Sequence, residues 1–209
     1  MKYPVKRVKN LAIILKDIQP FLNAQQLLSG APFGNFGDMR PREVLANWLI
    51  CAAFNYESQP ERLTFAGTRD PIGGDGVLID TLTDETWPTE HVLALVPPGD
   101  TKGQETHILS AVAQKQKPKK GGAAYARGKT LVVLLEGGGQ RPWYPNKVAK
   151  ALPSPLHFGA VWVVGLHAAS DTGEYAYDVT QMDEKAGTAQ VWRASIAAGF
   201  DSWTVVRIQ

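Results

Sequence analysis

A chain of 209 residues is long enough to bury one sizeable core, and a formal net charge of +2 gives it no overall field to gather a polyanionic partner. A hydrophobic content of 44% with six tryptophans excludes a disordered tail. The single cysteine, Cys51, excludes an internal disulfide framework and a thiolate zinc cluster, and it suits a reducing cytoplasm, the expected location.

The first segment, MKYPVKRVKNLAIILKDIQPF, sets basic residues before an apolar run. Leu11 to Leu15 is too short for a secretory core, and Lys16 and Asp17 interrupt it. No stretch reaches the length of a transmembrane helix, so no membrane partner is expected. Val8, Leu11, Ile14, Leu15 and Ile18 recur at helical spacing, and Pro20 marks an end or a bend. Residues 30–38 read as a glycine-rich connecting loop without a phosphate-cradling pattern. Residues 42–54 then form a helix that is apolar around most of its circumference and therefore packs on a sheet. Cys51 joins that core as a small hydrophobe. Glu43 and Asn47 share one face of this helix, and Glu43 also suits its amino-terminal turn.

After a short strand at 63–66 comes the stretch around which the chain is organised, DPIGGDGVLIDTLTDETWPTEHVLALV, residues 70–96. Residues 76–80 and 91–96 read as adjacent strands, with Asp84 and Glu85 in the turn between them. An acidic residue opens each run: Asp75 before the first, Glu90 before the second. In a paired hairpin both carboxylates lie at one end of the sheet, where they repel unless a cation or a shared proton relieves them. Mg²⁺ or Mn²⁺ with oxygen ligands is the usual relief. The plainer reading makes Asp75 a turn residue between glycines and Glu90 a solvated strand edge.

Residues 101–116 form the next helix, with Ile108, Leu109 and Val112 toward the core. Residues 129–135 are a strand buried on both faces, given their continuous apolar character. A short helix at 145–152 and a buried strand at 158–166 follow. Alternation about Tyr175, Tyr177 and Val179, then Val191 and Arg193, then Trp203, Val205 and Arg207 predicts antiparallel additions.

The resulting order, α-β-β-β-α-β, with Asp75 at the second strand and Glu90 at the start of the third, resembles the restriction-endonuclease-like PD-(D/E)xK nucleases. The resemblance covers residues 41–166. It implies an α/β fold with a mixed central sheet and an αβββαβ core, preceded by a helical segment at 1–40 and followed by extra strands at 167–209, all in one domain. It also implies Asp75 and Glu90 as ligands of Mg²⁺ or Mn²⁺, with Glu43 where some members place an additional helix carboxylate. The family's lysine, two residues beyond the glutamate, is Val92 here. Lys115 or Lys117 of the following helix is the replacement the sequence offers.

Residues 115–120, KQKPKK, with Arg127 and Lys129 beyond, contain no acid. Lys117, Lys119, Lys120 and Arg127 form the local patch that a phosphate backbone requires, and Tyr125 among them is placed to stack on a base. The alternative is a solvated helix end whose cations meet the helix dipole. His91, His107, His157 and His167 lack zinc-motif spacing and read as structural histidines. The expectation is a metal-dependent phosphodiesterase acting on nucleic acid, DNA foremost. Its alternatives are a non-catalytic nucleic-acid-binding module that keeps the fold, and an assembly subunit with Trp87, Trp143 and Tyr144 as its contact surface.

Overall fold

Leu11, Ile14, Leu15 and Ile18 fall on the buried face of α1 (Leu11–Leu22), whose first turn is capped by Asn10 Oδ1 accepting from Ile13 N at 2.9 Å. The computed structural model of the protein describes residues 10–32, 36–58, 61–67, 75–117, 123–137 and 142–209. Pro20 does not end α1. It sits within the last turns, and the helix runs on to Leu22 because that side chain is fully buried. A short 3-10 turn, Gln25–Ser29, leads toward α2 (Pro41–Glu57). Pro41 occupies the first turn of α2, where a missing N–H costs nothing.

Among the described residues eight strands form one mixed sheet in sequence order: β1 (Leu63–Ala66), β2 (Val77–Asp80), β3 (Thr86–Val96), β4 (Thr130–Gly137), β5 (Ala160–Ala169), β6 (Tyr175–Asp183), β7 (Thr188–Ile196) and β8 (Trp203–Arg207). β1, β2 and β3 are antiparallel, β3, β4 and β5 are parallel, and β5 to β8 are antiparallel. The parallel steps require crossovers, supplied by α3 (Gln104–Gln116) with the single turn α4 (Ala123–Ala126), and by α5 (Pro145–Lys150). The C-terminal strands extend the same sheet rather than forming a second one.

Two large cores cover the two faces, beside a small cluster of Ala66, Val77 and Ile79 on β1 and β2. α1 and α2 pack with Val132, Leu134, Trp162, Val164, Val179 and Trp192 on one face. α3 and α5 pack with Leu131, Val133, Val161 and Val163 on the other. Alternate residues of β4 therefore go to opposite cores, the physical reason its sequence shows no polar alternation. The sheet curls around α2, which meets β1 as well as β7 and β8. Trp48 of α2 is fully buried, donates to Leu11 O at 2.8 Å and stands edge-on to Trp203 with centroids 5.3 Å apart. Such a pairing adds about 0.5–1.5 kcal/mol to the area buried.

β3 is longer than expected. It begins at Thr86, so Glu90 lies inside the strand rather than at its opening. Pro88 is tolerated there because Thr89 N turns toward β2, donating to Gly76 O. The Pro88 nitrogen thus points the other way, and β4 pairs only from Thr89 onward.

Asp80 anchors the β2–β3 turn. It takes Arg62 Nε at 2.9 Å and Arg62 Nη2 at 2.6 Å on one oxygen, and Leu82 N at 2.9 Å on the other. The Arg62 hydrogen bonds, reinforced by the Leu82 and Thr83 amides, outweigh burial and pull the Asp80 carboxyl from its ordinary 3.8 down to about 2. A carboxyl depressed by folding adds stability above its unfolded pKa, and that gain disappears as pH falls through the folded value. Thermal unfolding between pH 4 and pH 2 should therefore show a steep loss in the wild type. Asp80→Asn should start less stable at pH 5 and lose less over the same interval. Parallel curves for the two proteins would contradict this role for Asp80.

Candidate active site

Strand parity divides the polar residues of β3 between the two faces of the sheet. Glu90, Val92 and Ala94 turn toward α3, whereas Thr89, His91 and Leu93 turn toward α2. Val92 packs against the α3 core, so the family's usual lysine position holds an apolar contact. The lysine arrives from elsewhere: Lys115, near the end of α3, binds Glu90 Oε1 through its ammonium. Tyr125, on α4, donates its hydroxyl to Glu90 Oε2. Glu90 is 5% exposed, and both its oxygens carry a donor. Burying that carboxylate without such partners would be strongly unfavourable.

Tyr125 is itself backed by a cation. The Lys129 ammonium stands 3.6 Å from its ring centroid, and Lys129 is buried immediately before β4. Within the expected basic patch, Lys115, Tyr125 and Lys129 thus turn inward around Glu90. Lys117 and Arg127 are exposed. Lys119 and Lys120 lie outside the described residues.

Asp75 stands where β2 and β3 part. Its N–H donates to Thr89 O at 2.8 Å, and its Oδ2 accepts from His91 N at 2.7 Å, with His91 Nδ1 3.5 Å from the same oxygen. The next residue, Gly76, has φ +147°. A Cβ there would stand 2.7 Å from Asn47 Nδ2 and 3.0 Å from Met39 Sδ. Only glycine lets the chain turn so closely beneath α2. Burial pushes the Asp75 carboxyl up, but His91 and, farther off, the Lys115 ammonium outweigh it, and the net position is below the ordinary carboxylate range. Lys115 therefore binds one carboxylate of the hairpin and draws on the other.

Glu43 is turned to its own helix. Its Oε2 accepts from Arg40 N at 2.8 Å, closing the first turn of α2. Burial raises its pKa, and the nearby Asp75 charge adds to that, while the Arg40 hydrogen bond and His91 oppose it. On the same helix face Asn47 is fully buried with neither amide atom bonded. Across from it, His91 and Thr89 of β3 are buried with unbonded ring nitrogens and hydroxyl. This polar cluster behind Asp75 was not anticipated from the histidine spacing. Its signal was present, in that Glu43 and Asn47 four apart on one helix, and Thr89 and His91 two apart on one strand, each put polar groups on a face expected to be buried.

Among the described residues no three His, Cys, Asp or Glu side chains converge as a metal-ligand group. Glu43 gives its Oε2 to Arg40 N in the first turn of α2. Asp75 and Glu90 stand at the same end of the β2–β3 pair, each with donors of its own: His91 N for Asp75, and Lys115 with Tyr125 for Glu90. The Asp75 side chain is 35% exposed, with one oxygen outside the His91 contacts, and each Glu90 oxygen retains acceptor capacity. Mg²⁺ commonly takes one or two carboxylates and completes its shell from water and substrate. No family model, curated protein or solved structure matches this chain.

Proposed function

We propose that the protein is a metal-dependent phosphodiesterase of nucleic acid, built on a restriction-endonuclease-like core spanning residues 41–166. The observation that carries this reading is Lys115 reaching Glu90 from α3, which supplies the lysine that Val92 lacks. The element order α2-β1-β2-β3-α3-β4, with β4 parallel to β3, supports the same core. Asp75 and Glu90 would hold Mg²⁺ or Mn²⁺, which when bound lowers the pKa of a water and offsets charge on a phosphate. Lys115 keeps the Glu90 carboxylate oriented and sets a positive charge where a phosphate oxygen would arrive. Lys117 and Arg127, both exposed, are placed to meet the backbone of DNA, the favoured substrate.

A second reading has one observation in its favour. Both Glu90 oxygens already carry protein donors, which is what a binding module that has abandoned metal chemistry would keep. End-labelled single- and double-stranded DNA, incubated with Mg²⁺ or Mn²⁺ and with EDTA, separates the two. The enzyme cuts only with the metal, and Glu90→Gln does not cut. Salt-sensitive binding without cleavage under either metal would establish the binding module instead.

A further inference from the structure

At the carboxyl ends of the parallel strands β3, β4 and β5, on the sheet face that carries α2, lies a cavity of about 520 Å³. That volume is within the range of small-molecule sites, about 300–1,000 Å³. Leu45 and Leu49 of α2 form one wall, and Leu134 and Val164 form the floor. Leu95 and Leu166 are exposed at the rim, so the lining stays apolar out to solvent. Leu95 lies four residues along β3 from His91, about 13 Å at strand spacing, and on the opposite face from Glu90. The cavity is therefore separate from the candidate active site.

Two polar side chains of this lining have no protein partner. Tyr177 of β6 is 6% exposed, and its hydroxyl bonds none of the described residues. Burial raises its pKa, which keeps it a neutral donor. Arg42, in the first turn of α2, has its Nε shut from water without a hydrogen bond, and it forms no ion pair among the described residues. Buried donors left unpaired are unfavourable, and an acceptor brought by a ligand relieves them. The amino-terminal end of α2 adds its own positive dipole beside Arg42. Glu136, half-buried in the same lining, does not pair with Arg42 and disfavours a second negative charge. His167 is held by Asp178 and Arg193. One unpaired cation beside an apolar lining selects a monoanion with a hydrocarbon body.

We infer that this cavity binds a small apolar monocarboxylic acid, its body among the leucines and its carboxylate on the Arg42 guanidinium, with the Tyr177 hydroxyl offered to a ligand oxygen. Octanoate and 1-octanol, equal in chain length, are titrated into the full chain and followed by calorimetry. Wild type should bind octanoate about tenfold more tightly than octanol, the worth of a hydrogen bond to a charged group. Arg42→Gln should erase that preference and leave octanol binding in place. Equal affinities in the wild type, or a preference that survives Arg42→Gln, overturn the assignment of an acid. Binding of neither compound overturns the cavity as a ligand site. Should Arg42→Gln fail to fold, Glu136→Gln, which removes a like charge from the lining, should tighten octanoate alone. An unmoved octanoate affinity in that variant equally overturns the proposal. Asp75 and Glu90 are untouched in every arm, so none of these outcomes bears on cleavage.

Discussion

Asp75→Asn is expected to remove most of the stabilisation that Mg²⁺ or Mn²⁺ confers on the wild type and to lower metal-dependent cleavage by about a hundredfold or more. A ligand that binds only the folded chain at a hundred times its dissociation constant adds about 2.7 kcal/mol. For a chain of this length that is a rise in Tm of about 5–10 °C. The asparagine keeps the shape of the side chain and one carbonyl oxygen for His91 N, so the hydrogen bond that seats residue 75 survives. What disappears is the formal charge and the stronger oxygen donor. Salt-sensitive DNA binding should persist, because Lys117 and Arg127 are untouched. Thermal unfolding with and without metal, beside a cleavage assay, reads both effects. A variant with an undiminished metal response would place the cation elsewhere, and cleavage surviving both Asp75→Asn and Glu90→Gln would move the chemistry away from this hairpin.

Lys115→Met carries the second large effect, on stability as well as turnover. It leaves the Glu90 carboxylate, 5% exposed, with the Tyr125 hydroxyl alone. Breaking a buried ion pair from one side costs about 3–5 kcal/mol. The Lys115 side chain is 29% exposed, so solvent relieves part of this and about 2–4 kcal/mol is expected. That corresponds to a loss of about 5–15 °C in Tm. Adding Glu90→Gln removes the orphaned charge, so the double variant should recover part of the loss. The resulting coupling energy should be about 1–3 kcal/mol, as for side chains in direct contact. Strict additivity of the two changes would mean that Lys115 and Glu90 do not act as a pair in solution. Cleavage should be lost in both single variants and stay lost in the double variant, which separates the catalytic consequence from the repaired stability.

The chain's periodicities were enough to place its helices and strands in order. α2, with apolar residues all round, was read as buried and is enclosed by the curl of the sheet. β4 was read as covered on both faces and divides its side chains between two cores. These assignments succeed because burial on a helix or strand leaves a repeat in the sequence itself. Boundaries were less legible. Pro20 was expected to mark an end or a bend of α1 and lies inside it, and β3, expected over residues 91–96, begins at Thr86 and takes in Pro88. The local cost of a missing N–H is small beside the burial of Leu22, and absent where no neighbouring strand asks for the bond.

The candidate site divides along the same line. Asp75 and Glu90 were visible as acids flanking apolar runs, and Lys115 as a cation one helix later. Their meeting was not visible, since nothing local links β3 to a side chain 25 positions on. Tyr125 was read as a stacking surface and is committed to Glu90, and His91 was read as a structural residue and stands against Asp75. Glu43 was read as a residue suited to the start of its helix and as a possible outer ligand, and its carboxylate closes the first turn of α2. Composition and spacing determined the kinds of residue available and the elements that carry them. The pairing of β3 with β2 on one edge and the return of α3 and α4 over its outer face decided which of them touch. Side-chain contacts across a sheet depend on register and on the path of the crossover, and these are settled by the packing of both cores together rather than by any one segment.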